Sequence, residues 1–418
     1  MTTSLQATLG RIVDSHFPAE RDFLAEMVKV PTDNPPGDCA AHARRTQTLL
    51  AAAGLTVEAH PVPADTVTAA GMISATNLIV RHQFGRGGPC VALNAHGDVV
   101  PPGLGWSRDP YDAEVVDQPE FGPTMYGRGV AVSKSDFATY TYALKALQEL
   151  AVGGHPLNGS VELHFTYDEE VGGEIGPRWI LAHGLSKPDY VICAGFSYAV
   201  TTAHNGCLHL EVTVRGRQGH AAMPESGIDA LTAATAILNS IYDSREVLKT
   251  RRSSVPGITH STINVGLIEG GINTNVVPDR VTFRIDRRMI PEEAPQQAEA
   301  ELRDLIERTA ASFAGIRLEI RRILLALPLV HVPGAERLTQ ALQRNGEIVF
   351  GVPIAEHGVP LYTDARHYAN AGIPTVLYGA GPRTLAEANG HAADECLRLG
   401  DLRGATVTVA AAIAEILK

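Results

Sequence analysis

The sequence has 418 residues, which is long enough for two domains. Hydrophobic residues make up 44% and charged residues 19%, a composition typical of globular proteins. Its formal net charge is −11 and it has no basic run, which argues against a nucleic-acid partner. It has neither a signal-peptide core nor an apolar run of the roughly 20 residues that span a bilayer, so no membrane partner is expected. The five cysteines form no CxxC pair, which favours a cytoplasmic protein without disulfides.

The N-terminal part alternates helical and strand patterns. Helical periodicity predicts helices over residues 10–30, 40–54 and 137–150. Apolar runs of strand length predict strands at ATNLIVRHQ, PCVALNAHGD, VELHFTYDEE and DYVICAGF. Strands that alternate with helices are typical of an α/β sheet covered on both faces.

The pattern changes after Asn205-Gly206. Alternating strands at CLHLEVTVRGRQ, STINVGLIEGG, DRVTFRIDRRMI and IRLEIRRIL are separated by helical stretches at 227–243 and 291–313. This order predicts a small α+β, ferredoxin-like unit with helices on one sheet face. The α/β pattern resumes with the strand IPTVLYGAG and a helix over 400–417, so the predicted domains are 1–205, an inserted 206–325, and 326–418.

HGDVVP follows the second predicted strand, at a strand end where open α/β sheets carry their sites. His96 and Asp98 are two residues apart and point the same way on an extended chain. Asp98 could orient His96 as a metal ligand, since such imidazoles are usually held by a carboxylate. The alternative is a surface histidine at a turn.

DEE, residues 168–170, follows the strand VELHFTY. Adjacent carboxylates repel each other and need a cation or a raised pKa. One of them could bind a metal while its neighbour serves as a general base towards water. The alternative is a solvated acidic turn.

Two further histidines lie in Gly-rich segments. In NGHAADE, His391 and Glu395 form a second possible imidazole–carboxylate pair. In GRQGHAAMP, His220 follows Gly219, which would let another surface approach closely.

The chain carries the following motifs in order: HGDVVP, GW..DPY, GRG...K, DEE, GRQGHAAMP, GG.NTNVVPD, TDAR and H..DE. This ordered set resembles that of the acetylornithine deacetylase / succinyl-diaminopimelate desuccinylase / carboxypeptidase G family. The resemblance covers about residues 20 to 415. It implies a zinc-peptidase-like catalytic domain with an inserted lid that also forms a homodimer or higher homo-oligomer. It also implies hydrolysis of a C–N bond in a small substrate that carries a carboxylate.

The resemblance also assigns site residues. It implies metal ligands at His96, Glu170 and His391, an orienting role for Asp98, and a general base at Glu169. In the lid it implies an oxyanion-stabilising histidine that crosses the dimer, together with substrate-binding residues. These lid positions are His220, Asn275, and Arg287 or Arg288, of which we select Arg288.

Two of the family's usual metal ligands are missing. The bridging Asp of the GRG loop falls on Val132 in GRGVAVSKSD, although Lys134 keeps its place. The carboxylate of a GEP-like turn falls on Gly195 or Phe196 in AGFS. Two imidazoles and one carboxylate remain, which is the ligand set of a single catalytic ion. We therefore expect one divalent transition metal per subunit, zinc, manganese or cobalt.

Other nearby side chains leave alternatives open. Asp136 could replace the missing ligand or cap the helix that follows it. Val132, Phe196 and Tyr198 either fill volume or form an apolar pocket, with Phe196 as a substrate contact. The candidates for binding a substrate carboxylate through a guanidinium are Arg128, Arg287, Arg288 and Arg366.

Three functions follow from these residues. The first is a metal-dependent deacylase of a small molecule, acting on C–N bonds other than peptide bonds, with water activated by Glu169. The second is an aromatic aminohydrolase of the nitroanthranilate type, in which hydroxide attacks the ring. The third is a non-catalytic binding protein on the same fold, although retention of DEE and three histidines weighs against it.

Overall fold

The computed structural model describes residues 2–384 and 386–418, and the chain divides into two compact units. The first unit comprises the residues up to Thr202 together with His331–His357 and Thr363–Lys418. The second comprises Ala203–Val330 and Gly358–Tyr362. The segment Gly358–Tyr362 thus belongs to the second unit, whereas the sequence prediction placed it in the second part of the catalytic domain.

The helices lie at intervals along the whole chain. In order they are α1 Thr2–Val28, α2 Ala40–Ala52, α3 Ala64–Ala69, α4 Lys134–Val152, α5 Pro177–Ala182, α6 Ala230–Thr250, α7 Pro295–Ala310, α8 Ala335–Phe350, α9 Ala365–Asn370 and α10 Leu399–Ile416.

The strands form three sheets. In order they are β1 Val57–Pro61, β2 Thr76–Gln83, β3 Cys90–His96, β4 Val115–Gln118, β5 Gly122–Tyr126, β6 Ser160–Thr166, β7 Tyr190–Cys193, β8 Ala199–His204, β9 Gly206–Arg215, β10 Thr262–Gly270, β11 Arg280–Met289, β12 Arg317–Ala326, β13 Ala355–Val359, β14 Thr375–Leu377 and β15 Cys396–Arg398.

The first unit is built on an eight-stranded mixed sheet with the order β1-β2-β6-β3-β7-β14-β8-β13. Its central strands β6, β3, β7 and β14 run parallel, and β2 and β8 pair antiparallel to their neighbours. Strands β3 and β6 are buried along nearly their whole length, as parallel strands covered on both faces are. A three-stranded sheet, β15-β5-β4, completes this unit.

Buried helices cover this sheet. Helix α10 is almost wholly buried and packs on α8, α4 and α1, and the side chains of these helices share one core with the sheet. Helix α8 and the small sheet had no sequence prediction. None of the helices in the described residues is long and apolar enough to cross a membrane.

The second unit contains an antiparallel sheet with the order β10-β11-β9-β12. Helices α6 and α7 pack on one face of this sheet, and alternate residues such as Leu208, Leu210 and Ile285 fill the core beneath them. The fold class predicted from the sequence is therefore confirmed, with a mixed α/β sheet in one unit and an α+β sheet in the other.

Candidate metal centre

The carboxyl ends of β3 and β6 bring His96, Glu169 and Glu170 together. The two strands are parallel neighbours, and His96 is opposite Thr166 in register. A short 3₁₀ turn, Glu169–Val171, follows β6 and turns both glutamates towards the imidazole. The ligand atoms of His96, Glu169 and Glu170 all lie within 4.8 Å of one another.

Asp98 fixes the orientation of these groups from a wholly buried position. The Nδ1 atom of His96 is 2.9 Å from the main-chain oxygen of Asp98 and 3.3 Å from its Oδ1. The Asp98 carboxylate also accepts the main-chain N–H groups of Glu169 at 3.2 Å and Glu170 at 3.1 Å. Asn34 donates to it at 3.0 Å. Because Nδ1 of His96 is engaged in this way, Nε2 is the ring atom available to a ligand.

Negative charge accumulates around His96. Burial raises the pKa of Glu169 well above its usual range, against the influence of His96, and neighbouring carboxylates add to the effect. Burial likewise raises the pKa of Asp364 to about 7. Burial disfavours protonation of His96, but the Asp98 hydrogen bond and the two glutamates outweigh it and raise the pKa of His96. Such a group of acids is most stable when a cation is present.

His391 reaches the same place from the C-terminal part of the chain. Its Nε2 is 3.4 Å from Oε1 of Glu170, and its side chain is 51% exposed. The contact with Glu170 raises the pKa of His391, although partial burial opposes this. Its backbone has a φ of 63°, a left-handed conformation that is uncommon outside glycine.

The predicted pairing of His391 with Glu395 is wrong. The Glu395 carboxylate instead accepts main-chain N–H groups of Gly129 at 3.1 Å, Ala131 at 3.0 Å and Val132 at 3.1 Å. Because a carboxylate is an acceptor with several lone pairs, it is well suited to order these three amides of the GRG loop.

The donor set fits a divalent transition metal. Imidazole nitrogen and carboxylate oxygen are the ligands that zinc, manganese and cobalt accept in proteins. Within the described part of the chain, Oε1 of Glu170 is buried without a hydrogen-bond partner, and Nε2 of His391 lies 3.4 Å from it. A buried carboxylate oxygen in this state is suited to coordinate an ion.

The two positions of the missing ligands are structurally altered. Val132 is half-buried and packs against the main core. A Cβ atom at Gly195 would lie 2.7 Å from the main-chain nitrogen of Tyr378 and 2.8 Å from the carbonyl carbon of Leu377. A carboxylate side chain at Gly195 therefore requires the β14 backbone to move.

Asp136 neither caps α4 nor joins the His96 cluster. The residue at the N-cap is Ser133, and the cap has no side-chain hydrogen bond. The buried Asp136 carboxylate accepts the main-chain N–H of Ala380 at 2.7 Å and that of Gly195 at 3.3 Å. Burial raises the pKa of Asp136 to about 7, partly offset by these two hydrogen bonds. The capping alternative is thus wrong, and the carboxylate is committed to backbone amides.

The aromatic pocket suggested by Phe196 and Tyr198 is only partly supported. Tyr198 donates to Oδ1 of Asp401 at 2.6 Å, and Arg383 lies 4.1 Å above its ring. These contacts commit Tyr198 to α10. Phe196 is half-buried beside Gly381 and keeps its place as a candidate substrate contact.

All four candidate arginines have structural partners, and three of them, Arg128, Arg287 and Arg366, are also buried. Arg128 is buried and pairs with Glu395 at 2.6 Å, and Arg287 pairs with Glu293 at 2.6 Å. Arg366 is buried and donates to the main-chain oxygen of Gly172. These contacts do not favour a role in binding substrate.

The three lid candidates lie in the second unit. His220 and Asn275 are exposed, and their segments adjoin, with 3.1 Å from the Ala221 nitrogen to the Asn275 oxygen. Arg288 is held by Asp286 through two hydrogen bonds of 2.8 and 2.9 Å.

Two residues near the centre were missed by the sequence prediction. Asp364, in the TDAR motif, lies close enough for Thr166 to donate to it at 3.5 Å. Asn34 supports Asp98 from a distant part of the sequence. The TDAR motif was a usable signal for Asp364, whereas nothing in the local sequence marks Asn34.

The fold and this acid–imidazole cluster define a metallohydrolase of the zinc-peptidase type. The model of Peptidase family M20/M25/M40 matches residues 92–415, and the chain belongs to this family. It is thus a metal-dependent hydrolase, and the resemblance found in its sequence is confirmed.

Similar proteins include deacylases and peptidases. An acetylornithine deacetylase from Myxococcus xanthus is 26% identical over 95% of this chain and 97% of its own length. A succinyl-diaminopimelate desuccinylase from Gluconacetobacter diazotrophicus is 30% identical over 51% of this chain and 54% of its own. An M20 metallo-carboxypeptidase from Sulfolobus solfataricus has the same fold, with a TM-score of 0.75 at 18% identity over 95% of this chain and 99% of its own.

Proposed function

We propose that the protein is a deacylase that hydrolyses a C–N bond other than a peptide bond in a small substrate carrying a carboxylate, with one divalent metal ion per subunit. The observation behind the single ion is the pair of altered positions, Val132 and Gly195. Val132 offers no ligand atom. Of the two candidates for the second position, Gly195 has no room for a side chain and Phe196 carries a phenyl ring without a ligand atom. The names of the deacetylase and desuccinylase relatives support the substrate class.

In this proposal His96, Glu170 and His391 hold the ion, and Asp98 keeps His96 in its ligand orientation. A divalent ion in such a site supplies Lewis-acid chemistry, polarising a carbonyl group and acidifying water. Glu169 takes the proton from the attacking water and delivers it to the leaving nitrogen. Its raised pKa suits a group that must both accept and release a proton.

The family resemblance supports substrate-binding roles for three residues of the second unit and one of the first. In the lid, His220 would stabilise the developing oxyanion, and Asn275 and Arg288 would bind the substrate. Arg288 keeps three donors beyond the two that it gives to Asp286, so it can still approach a carboxylate. Phe196 would contact the remainder of the substrate.

We also propose a homodimer formed through the second unit. Strand β10 is an edge of its sheet, and Leu267, Ile268 and Ile272 are 60%, 56% and 70% exposed. A second copy of the chain that pairs along β10 would cover these apolar side chains. Light scattering should give twice the monomer mass, and Ile268→Lys should reduce it. A monomeric wild-type protein would refute the dimer.

A cytoplasmic location is part of the proposal. Its support is that none of the five cysteines in the described residues is in a disulfide, as in proteins of reducing compartments.

The decisive experiment combines metal counting with a substrate screen. Wild-type protein and His96→Ala are loaded with zinc, and bound metal is measured by mass spectrometry. The proposal requires the variant to lose one ion per subunit, whereas a loss of two would establish a paired-metal centre. The screen contains N-acetylornithine, N-succinyl and other N-acyl amino acids, and aminobenzoates. Release of a carboxylate from acyl substrates supports the deacylase, and ammonia release from aminobenzoates alone would indicate the aromatic aminohydrolase instead.

A further inference from the structure

A second group of potential metal ligands lies in the second unit, on the sheet face away from α6 and α7. Leu208 and Leu210 of β9 point into the core beneath the helices, so Cys207 and His209 face the other way. Asp286 of β11 is directly opposite His209 in register. The ligand atoms of Cys207, His209 and Asp286 all lie within 4.8 Å of one another.

One ring nitrogen of His209 serves both neighbours. Nε2 is 3.2 Å from Sγ of Cys207 and 3.1 Å from Oδ2 of Asp286. A ring nitrogen carries at most one proton, so it cannot make a good linear hydrogen bond to the thiol and the carboxylate at once. A cation between the three groups would satisfy all of them.

The distances between the ligand atoms are close to those around a tetrahedral zinc ion. Zinc bonds of about 2.0 Å to imidazole and about 2.3 Å to thiolate place nitrogen and sulfur about 3.5 Å apart. The observed separation of 3.2 Å between Nε2 and Sγ is slightly shorter than this value. The 4.0 Å between Sγ and Oδ1 of Asp286 is slightly longer than the roughly 3.6 Å that a zinc–oxygen bond of about 2.1 Å would give. Small side-chain movements are therefore enough to admit an ion.

Arg288 is compatible with an ion at this place. Its Nε donates a hydrogen bond to Oδ1 of Asp286 at 2.8 Å, and its Nη2 donates one to Oδ2 at 2.9 Å. Each carboxylate oxygen has a further lone pair, and a partner that orients a ligating carboxylate is usual in metal sites. The charge of a thiolate and a carboxylate offsets that of the guanidinium.

We propose that Cys207, His209 and Asp286 form a second metal site, occupied by a zinc-class divalent ion that ties the start of β9 to the end of β11. A thiolate, an imidazole and a carboxylate select zinc or cobalt over magnesium or calcium. The Cys207 side chain is buried, while those of His209 and Asp286 are 33% and 32% exposed. A fourth position on the exposed side is left for water. This site shares no proposed ligand with the hydrolytic centre and adds one ion per subunit to the total.

Cobalt substitution of the full-length metal-free protein tests this proposal. The proposed hydrolytic ligands include no thiol, so thiolate-to-cobalt charge-transfer absorption reports the second site alone. We expect this absorption in the wild-type protein and its loss in Cys207→Ser, together with one cobalt ion per subunit. Cys90→Ser, at a free cysteine of β3, is the matched control and should keep both. Glu170→Gln should lose hydrolysis and keep the absorption.

The proposal is overturned if the wild-type protein gives no charge-transfer absorption with stoichiometric cobalt, or if the absorption persists in Cys207→Ser. Alkylation of the wild-type protein gives a second readout that does not depend on the folding of a variant. Zinc should slow alkylation of Cys207 several-fold and leave that of Cys90 unchanged. Equal rates with and without zinc would also overturn the proposal.

Discussion

Glu395 and Arg128 form a fully buried ion pair, with 2.6 Å between Oε2 and Nη1. The pair joins the segment that carries His391 to the loop that contains Val132. Glu395 also accepts N–H groups from that loop, including the N–H of Val132 itself. The shape of the loop is therefore fixed by Glu395 rather than by a metal-binding side chain at position 132. This explains how the loop can keep its form with a valine there.

Replacing this carboxylate should destabilise the protein. Glu395→Gln leaves the Arg128 charge buried without its counterion, which costs on the order of 3 kcal/mol. Urea unfolding should give this loss in the free energy of unfolding. Asp14→Asn is the control, because the pair of Asp14 with Arg403 is largely exposed and should contribute less than about 1 kcal/mol. Equal losses in the two variants would contradict the role given to Glu395.

Glu169→Gln should abolish turnover without removing the metal. Loss of a general base lowers kcat by roughly 10²- to 10⁴-fold, while KM changes little. Metal content is the decisive measurement, because the Glu169 carboxylate lies within the same 4.8 Å cluster as Glu170. Glu170→Gln is the comparison and should lower both turnover and metal affinity. Loss of metal from Glu169→Gln would make Glu169 a ligand instead.

The sequence predicted the residues of the metal centre better than the contacts that hold the surrounding loops in place. His96, Glu169 and Glu170 follow strands with clear patterns, and parallel strand ends meet at one sheet edge, so their convergence could be predicted. The hydrogen-bond partners of Glu395 could not be predicted, because they include main-chain N–H groups that no sequence pattern marks. The same holds for Asp136, whose N–H donors lie on backbone far away in sequence.

Elements without a chemical motif were missed for other reasons. Helix α8 has apolar residues at helical spacing, including the buried Leu338 and Leu342, and a systematic test of periodicity would have found it. Strands β4 and β5 are short and partly exposed, so their pattern is too weak to separate from a loop.

Restoring one missing ligand should not restore a second metal. Val132→Asp supplies the bridging carboxylate, but the second position is closed because a Cβ at Gly195 meets the β14 backbone. We expect the metal count of the hydrolytic centre to stay at one ion per subunit. Gly195→Ala should lower the free energy of unfolding by about 1–3 kcal/mol. Gly400→Ala is the control, since a Cβ there meets nothing within 4 Å. A second ion in Val132→Asp would show that Gly195 is not limiting.

Asp136→Asn should affect stability and leave metal binding intact. Its two carboxylate oxygens accept N–H groups from Ala380 and Gly195, and an amide can replace only one of these acceptors. The unmatched buried N–H costs about 1–3 kcal/mol in the free energy of unfolding. Isothermal titration with zinc should give an unchanged affinity. A fall in affinity of tenfold or more would mean that Asp136 takes part in binding the ion.

The buried pair of Glu162 and His164 should make stability depend on pH in the acid range. The Glu162 carboxylate is 2.9 Å from Nε2 of His164 and also accepts from Ser186 and Arg81. Burial opposes ionisation, but these partners outweigh it and lower the pKa of Glu162 from 4.5 to about 2. The folded state thus binds the proton more weakly than the unfolded state. The stabilisation is complete above about pH 4.5 and is lost as the pH falls towards 2.

The variant Glu162→Gln removes this stabilisation, so it should be less stable than the wild type by roughly 1–2 kcal/mol near neutral pH, after allowance for partial exposure. In urea unfolding as a function of pH, this difference should shrink below about pH 4.5. Glu58→Gln, at the more exposed carboxylate that also pairs with Arg81, should give a smaller difference throughout. A gap between Glu162→Gln and the wild type that stays constant down to about pH 3 would mean that the charge of Glu162 contributes nothing and that only its packing matters.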